Sequence, residues 1–255
     1  MASEKIGIST VLCGLTSVLM ASTLYLIFYA PPEKTTGLVQ RIFYFHVSAA
    51  WIALLAFLIM MAASIAYLAG GAQRWDVIAH ASAEVGTLFC ALVLVTGSFW
   101  AKAVWKAWWT KDPRLTTTLL LWLLYAAYLG LRKFATGERS AKYAAVFGVL
   151  TFLDVPIVYF SLRWQPTQHP ATLFGNRYSP SLTPETLFTL LVSLSAFLCL
   201  YLYLLQQRVA LARMEGELEA IRQVLNKNQT KPAALLIENQ NFIIEEYTLK
   251  EQQKS

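Results

Sequence analysis

The chain has 255 residues, with 21 Lys+Arg against 15 Asp+Glu for a net charge of +6; 56% of residues are apolar and only 14% are charged. A soluble domain carries about 25% charged residues, and a mean hydropathy of +0.48 excludes a disordered chain, a collagen-like repeat and a small disulfide scaffold. There is more apolar side chain than one water-soluble core can hide, so the composition points to an integral membrane protein whose basic loops set orientation, with no nucleic acid partner implied.

A membrane-spanning helix needs about 20 mostly apolar residues. Six such runs occur, at about 8–29, 43–69, 81–99, 117–131, 143–161 and 187–205. The expected fold is therefore all-α, a polytopic membrane protein with six transmembrane helices over residues 1–205. The first run is longer than the core of a secretory signal and is preceded only by Glu4 and Lys5, so it reads as a retained span. The fourth is short, and Thr116, Thr117 and Thr118 stand where their hydroxyls can extend it by bonding back to the helix backbone. Glu84, at the start of the third run, is expected to snorkel or to pair with Arg74. In the fifth, Asp154 lies two residues before Pro156; the carboxyl reads either as functional or as a partner for backbone groups that the proline frees.

Residues 206–255 differ in kind. Leu211, Met214, Leu218, Ile221 and Leu225 follow a 3-4-3-4 spacing, which predicts that the last span continues as a C-terminal amphipathic helix. That helix is either a solvated one or a docking helix for a partner. The stretch 226–232 reads as a turn, and 235–254 carries no clear pattern. Cys13, Cys90 and Cys199 lie far apart in apolar runs, with no C-x-x-C and no C-x-x-C-H. That excludes the usual thiol oxidoreductase and a covalent c-type cytochrome.

Six spans put both termini on one side and loops 30–42, 100–116 and 162–186 on the other. The terminal side has nine Lys/Arg near the spans: Lys5, Arg74, Arg132, Lys133, Arg139, Lys142, Arg208, Arg213 and Arg222. The other has eight: Lys34, Arg41, Lys102, Lys106, Lys111, Arg114, Arg163 and Arg177. Four of the eight crowd into loop 100–116. If those four serve a ligand, nine oppose four, and the positive-inside rule places the termini in the cytoplasm.

That loop holds Trp100, Trp105, Trp108 and Trp109, half of the eight tryptophans of the chain. On a helix, Trp105, Trp108, Trp109 and Asp112 would share an arc of about 100°, with the cations off that face. The expected form is a helix lying flat at the membrane surface. An ordinary interfacial belt spreads its aromatics over many helix ends. Four rings beside four cations suit a large, flat, apolar ligand that bears carboxylates.

His46, one turn inside the second span, and His169, in loop 162–186, lie on the tryptophan side, whereas His80 lies on the other. Each histidine alone could be a structural residue. Two imidazoles flanking an aromatic platform match what heme iron takes, one nitrogen on each axial face.

These motifs resemble the heme exporter protein C family of bacterial cytochrome c maturation. The resemblance covers about residues 38–205. Its strongest part is Trp100 to Thr116, which looks like the family's tryptophan-rich WWD motif, ending in Trp108, Trp109, Asp112, Pro113, Arg114, Leu115 and Thr116. Arg41 to Trp51 matches the segment of the first axial histidine at His46, and the segment from Val155 to Trp164 followed by His169 matches the second. The resemblance implies non-covalent b-type heme held at the outer face of the inner membrane by His46 and His169. Trp100, Trp105, Trp108, Trp109, Asp112 and Pro113 would form the loop site, with Arg114 and Arg41 toward the heme carboxylates. It also implies delivery to a periplasmic heme chaperone, beside the membrane and ATP-hydrolysing subunits of an ABC-type heme-release complex. The chain has no G-x-x-x-x-G-K-[ST] of its own and is not expected to be an enzyme. Two alternatives are a membrane b-type cytochrome that carries electrons, which needs histidines enclosed within the bundle, and a small-molecule transporter subunit, which calls for paired broken spans.

Overall fold

The computed structural model describes residues 2–30, 37–134, 140–164 and 183–252. The chain is helical, with no strand among the described residues. Its elements are α1 (Ala2–Tyr29), α2 (Gln40–Gly70), α3 (Gln73–Trp105), α4 (Pro113–Phe134), α5 (Ser140–Thr151), α6 (Asp154–Trp164) and α7 (Pro184–Gln252). Six stretches are long and apolar enough to cross a membrane: Gly7–Tyr29, Gln40–Gly70, Gln73–Trp105, Pro113–Phe134, Ser140–Ser161 and Pro184–Asn226. Each contains one of the six apolar runs and extends beyond it at one or both ends. The chain divides into two compact units, Met1–Val209 and Ala210–Ser255.

In the first unit α2 and α3 form a hairpin with the largest interface of the bundle. The turn is made at Gly71, whose φ of 66° few other residues tolerate, and its amide donates to Tyr67 O at 2.7 Å. Ala49, Ala53 and Ala56 of α2 and Ala79 and Ala83 of α3 are buried. In a bilayer, where lipid is as apolar as leucine, such small side chains let backbones approach and gain dispersion contacts. α4 packs on α3, α5 and α6, and α5 also packs on α2. Phe57 stacks on Tyr125 with centroids 3.6 Å apart, while Phe45 and Phe89 each meet Phe197 at 5.9 Å. Hydroxyls join α2, α3 and α7. Ser82 Oγ donates to Ala56 O at 2.7 Å and so accepts from Tyr201 at 2.8 Å; Ser48 donates to Ser193, which donates to Tyr44 O, both at 3.0 Å.

The short fourth span is lengthened as its threonines predict. Thr116, Thr117 and Thr118 donate to the carbonyls of Asp112, Pro113 and Arg114 at 3.1, 2.9 and 2.7 Å. The fifth span is broken between α5 and α6, just upstream of Pro156. Leu153 N reaches back only to Leu150 O, and Val155 N only to Phe152 O. This tightened turn is what a proline imposes when it removes a donor and crowds the preceding turn.

At the end of the bundle that carries the α2–α3 turn, Arg132 of α4 forms a two-pronged ion pair with Asp76 of α3, at 2.5 and 2.8 Å. Arg208 of α7 grips Glu84 of α3 with two bonds of 2.6 Å. Glu84 thus pairs with Arg208 and not with Arg74, whose guanidinium lies over the Trp75 ring. Arg208 lies 124 residues away in sequence but one helix away in space. His80 Nε2 stands 3.7 Å from the same Glu84 carboxylate.

In the second unit the helix runs on. Leu218, Ile221 and Leu225 are exposed along it, as are its polar residues through Asn226. The stretch 226–232, expected to turn, is helical: Pro232 deletes one amide donor, while the Lys, Gln, Asn and Thr around it are all tolerated in a helix.

Candidate functional site

At the opposite end of the first unit lies a cavity of about 260 Å³. His46, Phe43 and Trp51 of α2 form one wall, and Val93, Gly97 and Trp100 of α3 another. Trp109 of the α3–α4 connection, Arg114 and Leu115 of α4, and Val158 and Tyr159 of α6 complete it. Its lining is mainly apolar, with the His46 imidazole, the Arg114 guanidinium and the buried Cys90 thiol as its cationic or ligating groups. Trp51 and Trp109 are 43% and 41% exposed, so the cavity has an open aromatic rim.

The tryptophan-rich stretch is not one surface helix. α3 continues to Trp105 and stops at Lys106, whose φ of 62° is left-handed and whose Nζ donates to Ala103 O at 3.0 Å. After an irregular connection, α4 starts at Pro113. Proline serves the first turn of a helix, where its missing N–H costs nothing, and disfavours helix at the residue before it. Asp112 is the cap: its Oδ1 accepts from Arg114 N at 2.9 Å, and its carbonyl accepts from Thr116 N at 3.1 Å. The expected arc of Trp105, Trp108, Trp109 and Asp112 is therefore replaced by a corner, with Asp112 buried beneath it.

This corner divides the tryptophans. Trp100 and Trp109 line the cavity. Trp105 packs edge-on against Trp100 at 5.2 Å. Trp108 meets Phe99 at 5.6 Å, and Lys102 Nζ lies 5.7 Å from its ring. Pro113 and the Asp112 cap start α4, whose Arg114 reaches the wall. Arg41 is held elsewhere: it donates to Phe28 O at 3.0 Å and lies over the Phe28 ring at 5.1 Å. This ties α2 to α1 and keeps Arg41 out of the lining. His169 lies outside the described residues.

Asp154 is buried, and neither carboxylate oxygen has a hydrogen-bond partner among the described residues. The amides at the helix break are taken by other carbonyls, so its side chain does not serve the freed backbone. Sequence reasoning missed Asp76, an acidic residue among polar neighbours whose partner Arg132 is 56 positions on. It also missed Thr96 and Gly97, which stand beside His46; an isolated threonine–glycine pair inside an apolar helix gives no signal unless the facing helix is known.

The residues fit a flat, carboxylate-bearing ligand such as heme. An imidazole is present on one wall, indole faces lie at the rim, and a guanidinium sits within reach of the mouth. The open edge leaves room for a group larger than the cavity to protrude.

Comparison with known sequences agrees with this chemistry. The profile described as "Heme exporter protein C" matches residues 3–224. A ccmC-like mitochondrial protein of cytochrome c biosynthesis from Marchantia polymorpha, so named provisionally, is 35% identical over 170 residues, 65% of this chain and 72% of its own. "Heme exporter protein C" of Bradyrhizobium diazoefficiens is 35% identical over 164 residues, 64% of this chain and 62% of its own, and that of Haemophilus influenzae 31% over 177 residues, 69% and 72%. The match thus spans less than two thirds of the Bradyrhizobium protein. With six apolar spans and a match covering most of its length, the chain belongs to the heme exporter protein C family, multi-pass membrane proteins that handle heme in cytochrome c biogenesis.

Proposed function

We propose that this protein holds non-covalent, b-type heme at the outer face of the bacterial inner membrane and passes it to a periplasmic heme chaperone. The observation that carries this reading is the meeting of His46, Trp100, Trp109 and Arg114 around one open cavity. His46 supplies one axial nitrogen and His169 the other. Trp100 and Trp109 stack on the macrocycle, with Trp105 and Trp108 packed behind and beside them. Arg114 pairs with a heme carboxylate, since a guanidinium presents a fork of donors to two oxygens. Asp112 and Pro113 hold Arg114 in place. An exposed rim suits a carrier that must release its cargo, whereas an electron carrier shields its heme.

The termini are cytoplasmic in this reading, and the cavity faces the periplasm. The protein works by binding and transfer, not by catalysis. ATP hydrolysis belongs to other subunits of a membrane ABC-type complex. Hemin titration of the purified full chain tests the proposal. Wild type should give a low-spin, bis-histidine spectrum, His46→Ala and His169→Ala should each weaken binding by tenfold or more, and His80→Ala should leave it unchanged. Equal loss in all three variants would sink it. A reporter fused within 100–115 must read periplasmic.

A further inference from the structure

The His46 ring is cradled by two consecutive residues of α3. Thr96 Oγ1 lies 3.0 Å from His46 Nδ1. The same hydroxyl lies 2.7 Å from Leu92 O and 3.3 Å from Val93 O. A carbonyl oxygen only accepts, so the single hydroxyl proton of Thr96 is committed to the helix backbone. What remains toward the imidazole is an oxygen lone pair, and Nδ1 must supply the hydrogen. In neutral imidazole one nitrogen carries the proton and the other is the acceptor or metal ligand. Donation from Nδ1 therefore leaves the lone pair on Nε2.

Gly97 completes the cradle. A Cβ built there would stand 3.0 Å from His46 Cε1, tighter than ordinary van der Waals contact, and 3.6 Å from Nδ1. Glycine is unfavourable inside a helix, and here its bare α-carbon leaves room for the His46 ring close to α3 where it lines the cavity.

We propose that Thr96 is a positioning residue that fixes His46 as the Nδ1–H tautomer and aims Nε2 at heme iron, with Gly97 giving the ring its place. This rests on the reading of His46 as a heme ligand. Metal-bound histidines generally donate their second ring N–H to a fixed acceptor, and loss of such a partner costs about 10–100-fold in affinity.

The first test needs no heme. Nitrogen-15 spectra of the heme-free full chain, at about pH 8 and so above the ordinary imidazole pKa of about 6.5, should show His46 protonated at Nδ1, the signal being assigned by its loss in His46→Gln. A proton on Nε2 overturns the proposal whatever the protein binds. The second test is hemin titration with electron paramagnetic resonance of the ferric complex. Thr96→Ser, which keeps the acceptor, should bind within about twofold of wild type. Thr96→Val, which keeps the shape, should bind about 10–100-fold more weakly and shift the low-spin g values. Wild-type behaviour in Thr96→Val, or equal loss in Thr96→Ser, overturns the role of Thr96. Unchanged hemin affinity and spectrum in His46→Ala would instead overturn the heme reading, and the tautomer measurement would still judge the cradle.

Discussion

The two ends of the six-span bundle treat charge in opposite ways. At the end with the α2–α3 turn, both acidic residues of α3 are answered from within: Asp76 by Arg132 and Glu84 by Arg208. At the other end Arg114 and His46 line a cavity rimmed by half-exposed indoles. Charges closed on each other lock helices together. Groups that face a cavity are kept for something that arrives, and this contrast, more than the number of basic residues at either end, locates the binding face.

The sharpest way to break the comparison is at the locked end. Asp76 and Arg132 side chains are 3% and 17% exposed, so removing one partner strands a charge away from water. Asp76→Ala should cost about 3–5 kcal/mol, measured by unfolding in mixed micelles. The double variant with Arg132→Met should recover much of that loss, because no lone charge then remains. Hemin affinity of the folded fraction should not change. If Asp76→Ala loses heme binding while keeping stability, the two ends are not separate in role.

The next effect lies at the cavity end. Asp112→Ala removes the cap of α4 and should cost about 1 kcal/mol, with hemin affinity falling several-fold as Arg114 loses its fixed start. Asp112→Asn, which still accepts from the Arg114 amide, should restore both. Equal loss of heme in both variants, with stability intact only in Asp112→Asn, would mean that the carboxylate itself meets the ligand. Glu84→Gln comes third. Its ion pair with Arg208 is about one-third exposed on both sides, and such pairs contribute about 1 kcal/mol or less. A loss near that of Asp76→Ala would show this end of α7 to be as tightly locked as α4.

Six spans were legible because span length follows from bilayer thickness alone, and a run such as 43–69 needs no tertiary knowledge to be recognised. The threonine extension of α4 and the break before Pro156 were legible for the same reason: both are local, acting within four residues along one helix. The tryptophan corner was misread because four rings at helical spacing outweighed the stop signals. Lys106 in a left-handed conformation leaves no mark in sequence, and Asp112-Pro113 looked like the end of an aromatic face when it is the start of a helix. Partners across the bundle were out of reach altogether, since nothing near Glu84 names Arg208, and nothing near His46 names Thr96, 50 residues on.

The smallest expected effect lies outside both ends. Leu218, in the unit Ala210–Ser255, is 58% exposed. An apolar side chain that is already exposed gives up little when replaced by a polar one, so Leu218→Gln should change unfolding stability by no more than about 0.5 kcal/mol and leave hemin affinity alone. The same substitution in a covered stripe would bury an amide without partners and cost about 1–3 kcal/mol. Unfolding that becomes concentration-dependent in wild type and loses that dependence in Leu218→Gln would show a second copy covering the stripe. A flat response places heme handling in the bundle and leaves residues 210–226 as a helix whose apolar stripe contributes nothing to it.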